Sequence, residues 1–384
     1  MLAAAHSIPA HAPAPAATGE GGIARLALLG SGTVGQAVLD RLQQWRFSEC
    51  GEGLRLVYAA NTRLALHDSD GLCPALARTS LVDAPTSASG CESGALEKAL
   101  GSRGVRIVID ATADGAIARR HPRLLRAGIH VVTACKLATG TSLALWDEIR
   151  SACTERGAGF GDRATVGAGL PLLRSIRELR AGGDRVHAIA GVMSGSLAWL
   201  FHHFDGTRPF SELVREARDA GFTEPDPRED LSGEDVRRKL LILARAAGFA
   251  LESEEVEVSS LVPAALAGLS AATLDSSLHL LDARLASLFS TATNEGCSLR
   301  FVARLKDGKA RVGLEKLCAG DPLHGGRGTD NRVAIWSDRY ATQPLVIQGP
   351  GAGPEITAAA LLDDVLVLRA AALGAALPGL SPSR

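Results

Sequence analysis

Several features that would assign this chain to a particular class of protein are missing from its sequence. The formal net charge of its 384 residues is only −1, so the chain lacks the electrostatic footprint of a protein that binds nucleic acid or an anionic membrane. No stretch approaches about 18 uninterrupted apolar residues, the length that predicts a membrane span. No internal repeat occurs at the periods typical of solenoids. We therefore predict neither nucleic acid nor a membrane as a partner.

The cysteines also lack a recognisable pattern. The sequence has seven of them, an odd number, and no CxxC pair. Scattered cysteines of this kind are typical of reduced thiols and argue against a disulfide framework or a zinc site. We therefore expect reduced thiols in a cytoplasmic protein.

The composition that remains is that of a globular protein. Hydrophobic residues make up 46% of the chain and charged residues 22%, enough to bury a core. At about 150 residues per unit, the length predicts two to three structural units. Residues 1–20 lack the basic segment and apolar run of a signal peptide, and we predict that they form a disordered leader.

A glycine-rich turn follows the first apolar run, Arg25–Leu29, which predicts a buried parallel strand. Gly30 permits the turn, Gly32 lets a pyrophosphate approach the backbone, and Gly35 allows close packing of helix on strand. The helix that follows offers free N–H groups and a positive dipole end to phosphates. The alternative is a glycine turn without a ligand. The cofactor-binding residues predicted here are Gly30, Gly32, Thr33, Val34 and Gly35.

The end of the next predicted strand, at residues 54–60, bears on the choice of cofactor. A site selective for NAD usually has an acid here for the ribose 2′-hydroxyl, whereas an arginine can accept a 2′-phosphate. This chain has no acid at that point and carries Arg63. The pattern favours NADP, alone or together with NAD, and the alternative is that Arg63 points to solvent.

Two further predicted strands, at residues 105–109 and 129–133, lead to Thr112 and Lys136. In open parallel sheets, ligands bind at the carboxyl ends of the strands. Thr112 and Lys136 are therefore candidates to reach the nicotinamide end of a cofactor. A solvated lysine is the alternative for Lys136.

The run TEPDPREDLSGEDVRRK, at residues 223–239, concentrates acids in a loop and then opens a helix. Asp235 and Lys239 are four residues apart, which places a carboxylate and an amine one turn apart on one helix face. A loop dense in acids suits a substrate with an amino group, and a lysine beside apolar neighbours suits a proton shuttle. The alternative is a solvated loop followed by an ordinary surface ion pair.

Four motifs carry a resemblance to a known family: ATVGAGLP at 164–171, MSGSLAWLF at 193–201, GFTEPDPREDLSGEDVRRKLLILAR at 221–245 and PLVIQGPGAG at 344–353. Together they resemble homoserine dehydrogenases, above all the dehydrogenase portion of fused aspartokinase–homoserine dehydrogenases, over roughly residues 24–375. The resemblance implies a reversible NAD(P)-dependent interconversion of L-homoserine and L-aspartate 4-semialdehyde, in threonine and methionine biosynthesis.

The resemblance also implies roles for residues of these motifs. Glu224 would bind the amino group of the substrate. Asp230 and Asp235 would lie near the substrate hydroxyl and the catalytic lysine. That lysine would be Lys239, as proton donor and acceptor, while Lys136 would lie close to nicotinamide and substrate.

A monovalent cation, sodium or potassium, is implied less directly. In the family, backbone carbonyls hold it, and here these would be those of Val166, Ala168 and Leu170. Some members add a glutamate, and this chain has Arg163 in its place. A cationic side chain is unfavourable beside a cation, so the absence of a specific ion is the alternative.

A second departure from the family raises two rival functions. The family usually has an asparagine before the strand-end lysine, and this chain has Cys135. A semialdehyde dehydrogenase would use such a cysteine as a nucleophile, whereas a buried structural cysteine would not react. The other rival is a catalytically inactive Rossmann-fold regulatory or binding protein, against which the intact Glu224, Asp235 and Lys239 argue.

The fold class expected is α/β, a Rossmann dinucleotide-binding domain with an inserted α+β catalytic and dimerisation domain. The first would comprise residues 21–150 and 345–384, with Gly349 and Gly351 lying under the cofactor, and the second residues 151–344. A homodimer formed through the sheet is implied, without a separate threonine-binding regulatory domain. In the inserted domain we predict strands near 185–193 and 298–335, and helices near 195–204, 210–220 and 233–248.

Overall fold

The computed structural model describes residues 22–85, 94–326 and 328–374. The predicted leader at residues 1–20 lies outside the described residues. The described chain divides into two compact units. The first unit comprises 22–138, 144–165 and 353–374, and the second comprises 139–143 and 166–352.

Twelve strands are seen in the described residues, and they include those predicted from the sequence. The short strands at residues 65–67, 160–161 and 256–258 and the strand at 345–350 were not predicted. In chain order the twelve strands are β1 (Ala24–Leu29), β2 (Leu54–Ala60), β3 (Ala65–His67), β4 (Val105–Asp110), β5 (His130–Thr133), β6 (Phe160–Gly161), β7 (Val186–Val192), β8 (Val256–Val258), β9 (Ser298–Lys306), β10 (Lys309–Leu317), β11 (Asp330–Ser337) and β12 (Leu345–Pro350).

The helices include those predicted near 195–204, 210–220 and 233–248. In chain order they are α1 (Thr33–Trp45), α2 (Pro74–Val82), α3 (Ala95–Leu100), α4 (Gly115–Ala118), α5 (His121–Arg126), α6 (Leu143–Arg156), α7 (Leu172–Ala181), α8 (Gly195–His203), α9 (Phe210–Asp219), α10 (Arg228–Leu231), α11 (Glu234–Ala247), α12 (Ala264–Ala267), α13 (Ala271–Ser277), α14 (Asp282–Asn294) and α15 (Pro354–Leu373). In the described part of the chain, no helix is both long and apolar enough to cross a membrane.

The first unit is built on a six-stranded sheet in the order β3-β2-β1-β4-β5-β6. All its pairings are parallel except that of β2 with β3. Strands buried on both faces read as continuous apolar runs, and β1 shows this pattern. Leu26 and Leu28 pack with α1, α2 and α15, whereas Ala27 and Leu29 pack with α3, α5 and α6. This is the predicted Rossmann architecture, with the strand order that reverses between β1 and β4.

The second unit is built on a six-stranded sheet in the order β12-β11-β7-β9-β10-β8. Apart from the parallel pairing of β8 with β10, its strands are antiparallel. One face of the sheet, with Ile189, Phe301 and Ile335, packs on a core that includes residues of α7, α8, α11 and α14. The other face includes Val302 and Ala334. An α+β second domain was the sequence-based expectation.

The boundaries between the units differ from those predicted. The expected division at 150 moves to 165, because β6 pairs with β5 and so completes the first sheet. The expected division at 345 moves to 352, because β12 pairs with β11 of the second sheet. Residues 139–143 also belong to the second unit, where buried Arg245 donates to the carbonyls of Thr139 (2.7 Å) and Thr141 (2.7 Å).

One prediction about the cysteines is wrong. Cys297 and Cys318 form a disulfide. The antiparallel β9–β10 ladder pairs Ser298 with Leu317, so the residues just outside this pair face one another across the hairpin. Among the described residues Cys50, Cys73, Cys135 and Cys153 carry free thiols, as expected, while Cys91 lies outside the described residues. The odd number of cysteines gave no sign of this disulfide, because the pairing depends on the register of β9 and β10.

Candidate active site

The glycine turn after β1 has the geometry of a phosphate-binding loop. Gly30 has a φ of +95°, and a Cβ there would lie 2.9 Å from the carbonyl oxygen of Ala111. A Cβ on Gly35 would lie 2.0 Å from the carbonyl oxygen of Gly30, whereas one on Gly32 would meet no atom within 4 Å. The backbone is therefore tightly folded at the first and third glycines and open at the second. The N-terminus of α1 follows directly, so these residues fit a pyrophosphate.

The end of β2 is organised by Asn61. Its amide Nδ2 donates to Ser31 Oγ of the glycine turn at 2.9 Å, and its Oδ1 accepts from the backbone N–H of Arg63 at 2.8 Å. The guanidinium of Arg63 donates to the carbonyl of Ala84 at 2.8 Å and, more weakly, to that of Leu81 at 3.4 Å. Arg63 is therefore held against the end of α2 and does not simply extend into solvent.

The ends of β4 and β5 are joined by a buried carboxylate that sequence reasoning did not single out. Asp110 Oδ1 accepts from the backbone N–H (3.0 Å) and the hydroxyl (2.7 Å) of Thr112. Its Oδ2 accepts from Thr133 Oγ1 at 3.2 Å and lies 2.9 Å from His121 Nε2. Thr133 Oγ1 in turn accepts from the N–H of Cys135 at 2.9 Å. An aspartate that ends the apolar run Ile107–Ile109 was the signal that could have revealed this network.

Cys135 is not suited to act as a nucleophile. Its side chain is buried, and this burial, aided by the negative charge of Asp110, raises the pKa of the thiol to about 11. A thiol with this pKa is protonated at neutral pH, whereas the reactive species is the thiolate. The geometry therefore supports the structural reading of Cys135. Lys136 follows directly and is half-buried.

In the second unit, Lys239 lies on the buried side of α11. This helix begins after Gly233, whose φ is +81°. The lysine Nζ donates to the carbonyl oxygen of Met193, just after β7, at 2.7 Å and lies 2.8 Å from Asp235 Oδ2. The lysine side chain is 11% exposed and the aspartate side chain 42% exposed. The predicted pair therefore exists, and the Met193 carbonyl is a contact that the sequence did not reveal.

A second cluster joins the acidic loop to the start of α8. Asp230 Oδ1 accepts from Ser196 Oγ at 2.7 Å, and its Oδ2 accepts from the backbone N–H of Glu224 at 2.9 Å. Ser196 Oγ is also 2.9 Å from Ser194 Oγ. Burial raises the pKa of Asp230 above its usual range, and the charge of Asp235 adds to this effect. Asp230 thus fixes the position of Glu224, whose side chain remains exposed.

The acids of the loop therefore have different surroundings. Asp226 forms a 2.6 Å ion pair with Arg228, which lowers the pKa of that carboxyl. Glu229 and Glu224 are exposed. The alternative of a uniformly solvated acidic loop does not describe this arrangement, because Asp226 and Asp230 hold the loop in shape.

The residues predicted to hold a cation lie in a strained turn. Gly167 and Ala168 both have positive φ, +73° and +48°, and a left-handed alanine is uncommon. The carbonyl of Leu170 accepts from Leu172 N–H at 2.8 Å. In the first unit, Arg163 Nε lies 2.8 Å from Oδ1 of the buried Asp364. Among the described residues no group of three His, Cys, Asp or Glu side chains could hold a metal ion.

Two of the three glycines of the PLVIQGPGAG motif, Gly349 and Gly351, pack closely inside the second unit. A Cβ on Gly351 would lie 2.0 Å from Nδ2 of the buried Asn331. Gly349 has a φ of +157°, and a Cβ there would lie 3.1 Å from Leu170 Cδ2. Their predicted place under a cofactor stays a prediction.

Comparisons with known proteins agree with both units. Residues 171–366 match the family model for homoserine dehydrogenase, and residues 30–160 match that for the homoserine dehydrogenase NAD-binding domain. The solved structure of a hyperthermophilic archaeal homoserine dehydrogenase mutant in complex with NADPH has a similar fold. Its TM-score is 0.70 at 21% identity, and the match covers 92% of this chain and 98% of that one.

Two curated relatives have more similar sequences. The bifunctional aspartokinase/homoserine dehydrogenase 2 of Escherichia coli is 43% identical over 260 residues, which cover 67% of this chain. This chain spans only 32% of the length of that relative. The homoserine dehydrogenase of Emericella nidulans is 36% identical over 361 residues, covering 89% of this chain and 97% of that protein. With these matches across both units, this chain belongs to the homoserine dehydrogenase family.

Proposed function

We propose that the protein catalyses the reversible interconversion of L-homoserine and L-aspartate 4-semialdehyde with NADP(H), as a step of threonine and methionine biosynthesis. The observation that carries the proposal is the setting of Lys239, a buried ammonium held by Met193 and Asp235. When bound, the nicotinamide supplies or accepts the hydride. Reduction of the aldehyde develops negative charge on its oxygen, which a positioned proton donor stabilises.

In this reaction the protein itself donates a proton to the substrate oxygen, or accepts one from it. A lysine ammonium has three N–H donors. In the described part of the chain, Met193 and Asp235 occupy two donors of Lys239, and we assign the third to the substrate oxygen. The Asp235 side chain is 42% exposed, so it offers a route by which Lys239 exchanges its proton with solvent.

Recognition of the substrate would rest on Glu224 and Asp230. An exposed carboxylate on an ordered loop suits the ammonium group of homoserine, and the Asp230–Ser196 hydrogen bond keeps that loop in place. Holding the reacting group in a productive orientation is a large part of what a dehydrogenase contributes beyond its cofactor.

NADP is the cofactor that the site favours. The glycine turn fits a pyrophosphate, and the end of β2 carries Asn61 and Arg63 in place of an acid. We assign Lys136 and Thr112 to the nicotinamide side, and Gly349 and Gly351 to close approach of the backbone. The archaeal relative solved with NADPH supports the same choice. We also propose a cytoplasmic location, which the free thiols of four of the six described cysteines support.

The proposal also includes a homodimer and a bound monovalent cation. A homodimer through the second sheet is supported by Val346, which is 37% exposed, and by the half-buried Trp336 on β11. A sodium or potassium ion on the carbonyls of Val166, Ala168 and Leu170 is supported by the positive φ values of that turn. Light scattering tests the dimer, and activity in potassium chloride against tetramethylammonium chloride tests the ion.

The decisive experiment is turnover of L-homoserine with NADP, followed by the absorbance of NADPH. We expect activity that needs L-homoserine, is absent with L-serine and is at least about 100-fold lower in the Lys239→Ala variant. A folded protein that binds NADPH without turnover would instead be a binding or regulatory protein. Phosphate-dependent oxidation of aspartate semialdehyde, lost in Cys135→Ser, would show the rival dehydrogenase.

A further inference from the structure

In the first unit, the carboxylate of Asp110 at the end of β4 accepts hydrogen bonds from Thr112, His121 and Thr133. Asp110 and His121 are both fully buried, and four hydrogen bonds reach the two carboxylate oxygens. An ionised carboxylate only accepts, so His121 Nε2 carries the hydrogen toward Asp110. His121 Nδ1 has no hydrogen-bond partner among the residues that the structure describes, so the bond from Nε2 to Asp110 is the one hydrogen bond that the ring makes there.

The hydroxyl of Thr112 can act only as a hydrogen-bond acceptor toward a ligand. Its hydroxyl has one hydrogen, and the 2.7 Å bond to Asp110 Oδ1 uses it. Toward every other group Thr112 Oγ1 can therefore only accept, as it does from the N–H of Asp114 at 3.2 Å. Thr133 behaves in the same way, since its hydroxyl donates to Asp110 and accepts from the N–H of Cys135.

Thr112 lies where a cofactor is expected to bind. Thr112 follows β4, and its Cγ2 would lie 3.0 Å from a Cβ built on Gly30 at the end of β1. The ends of β1 and β4 flank the point where the strand order reverses, which is where ligands bind in such sheets. Thr112 is half-buried there, so part of this residue is open to a ligand.

We propose that Asp110, supported by His121, is a positioning residue that presents Thr112 Oγ1 as a hydrogen-bond acceptor for the carboxamide NH₂ of the nicotinamide. The inference rests on the proposed function in that it needs a nicotinamide cofactor. His121 supplies the donor that keeps the buried carboxylate fully hydrogen-bonded. Removing it leaves an underpaired buried charge, which is unfavourable in a low-dielectric interior.

The test compares NADPH with its 3-acetylpyridine analogue, in which a methyl group replaces the carboxamide NH₂. Binding is measured by calorimetry on the full chain. We expect the wild-type protein to prefer NADPH by roughly three- to tenfold, the contribution of one neutral hydrogen bond. The preference should fall toward unity in Asp110→Asn and in Thr112→Val, and partly in His121→Phe. His121→Gln, which restores an N–H donor, should recover it.

A fragment without nicotinamide separates positioning from folding. Affinity for 2′,5′-ADP should stay within about twofold of wild type in these variants, and the exposed Asp114→Asn is the matched control for charge. Equal losses for 2′,5′-ADP and NADPH, or an undiminished preference for NADPH in Thr112→Val, would overturn the inference while the proposed function stands. If the wild-type protein bound neither 2′,5′-ADP nor NADPH, both the inference and the proposed function would be overturned.

Discussion

Lys239 and Asp235 form an ion pair one turn apart on α11 in which the two partners have different access to solvent. Their charged atoms are 2.8 Å apart, but the lysine side chain is 11% exposed and the aspartate side chain 42%. The amine therefore faces the interior, where Met193 also binds it, and the carboxylate faces outward. An ordinary surface pair would expose both partners, and such pairs contribute little.

Replacing Lys239 should abolish most of the catalytic rate. Lys239→Ala removes the proton donor, and we expect kcat to fall about 10²–10⁴-fold, the range for a positioned acid or base. Steady-state kinetics with saturating homoserine measures the loss. The neighbouring Arg238→Ala, which removes a positive charge from the same helix, should keep kcat within about threefold. A folded Lys239→Ala enzyme with near wild-type kcat would contradict the assignment.

Replacing Glu224 should weaken substrate binding selectively. Glu224→Gln removes the negative charge that we assign to the substrate ammonium, and the loss of one charge-assisted hydrogen bond, about 1.5–3 kcal/mol, predicts a roughly 10- to 100-fold higher KM for homoserine. KM for NADP should not change. Glu229→Gln, an exposed acid in the same loop, is the control. Parallel losses for both substrates would show that the loop had collapsed.

Replacing Arg63 should change the choice of cofactor. Arg63→Ala should raise KM for NADPH and leave KM for NADH almost unchanged, because only NADPH carries the 2′-phosphate that a guanidinium can clamp. The variant also loses hydrogen bonds to the carbonyls of Ala84 and Leu81, so its thermal unfolding must be measured in parallel. An equal change for both cofactors would show that another group reads the phosphate.

Asp230 should govern the acid side of the pH profile. Burial raises its pKa, so as the pH falls Asp230 takes up its proton earlier than an ordinary aspartate does. Protonation weakens its hold on Ser196 and Glu224, and kcat/KM for homoserine should fall at pH values above the usual aspartate pKa of 3.8. Asp230→Asn should lower kcat/KM and remove this limb. Asp226→Asn should leave the limb in place, because Arg228 lowers the pKa of Asp226.

The disulfide should stabilise the second unit. Closing the 21-residue separation between Cys297 and Cys318 restricts the unfolded chain, which contributes about 2–4 kcal/mol to the free energy of unfolding. The double variant Cys297→Ser/Cys318→Ser should therefore unfold at lower urea concentration without reductant, whereas Cys50→Ser, an exposed free thiol, should not. Peptide mapping without reduction should recover the linked pair. Identical unfolding of the double variant and the wild type would contradict this.

Features encoded by neighbouring residues could be predicted from the sequence. The strand, glycine turn and helix at residues 24–45 follow from a short apolar run and three glycines, because local backbone freedom and hydrophobic periodicity act over a few residues. The Asp235–Lys239 pair followed from helical spacing alone. The hairpin of β9 and β10, with Asp307 and Gly308 at its turn, also has a local signal, and its register could have revealed the disulfide.

Contacts between distant segments were decided only by the tertiary structure. Strand order and helix packing bring together three pairs of residues: Asp110 with His121, Lys239 with the carbonyl of Met193, and Arg163 with Asp364. No spacing rule reports such pairs, because their geometry depends on how whole elements pack. Burial is also a property of the fold, and it is burial that makes Cys135 unreactive and raises the pKa of Asp230. The sequence thus determined which chemical groups are present, and the packing determined their partners and their protonation.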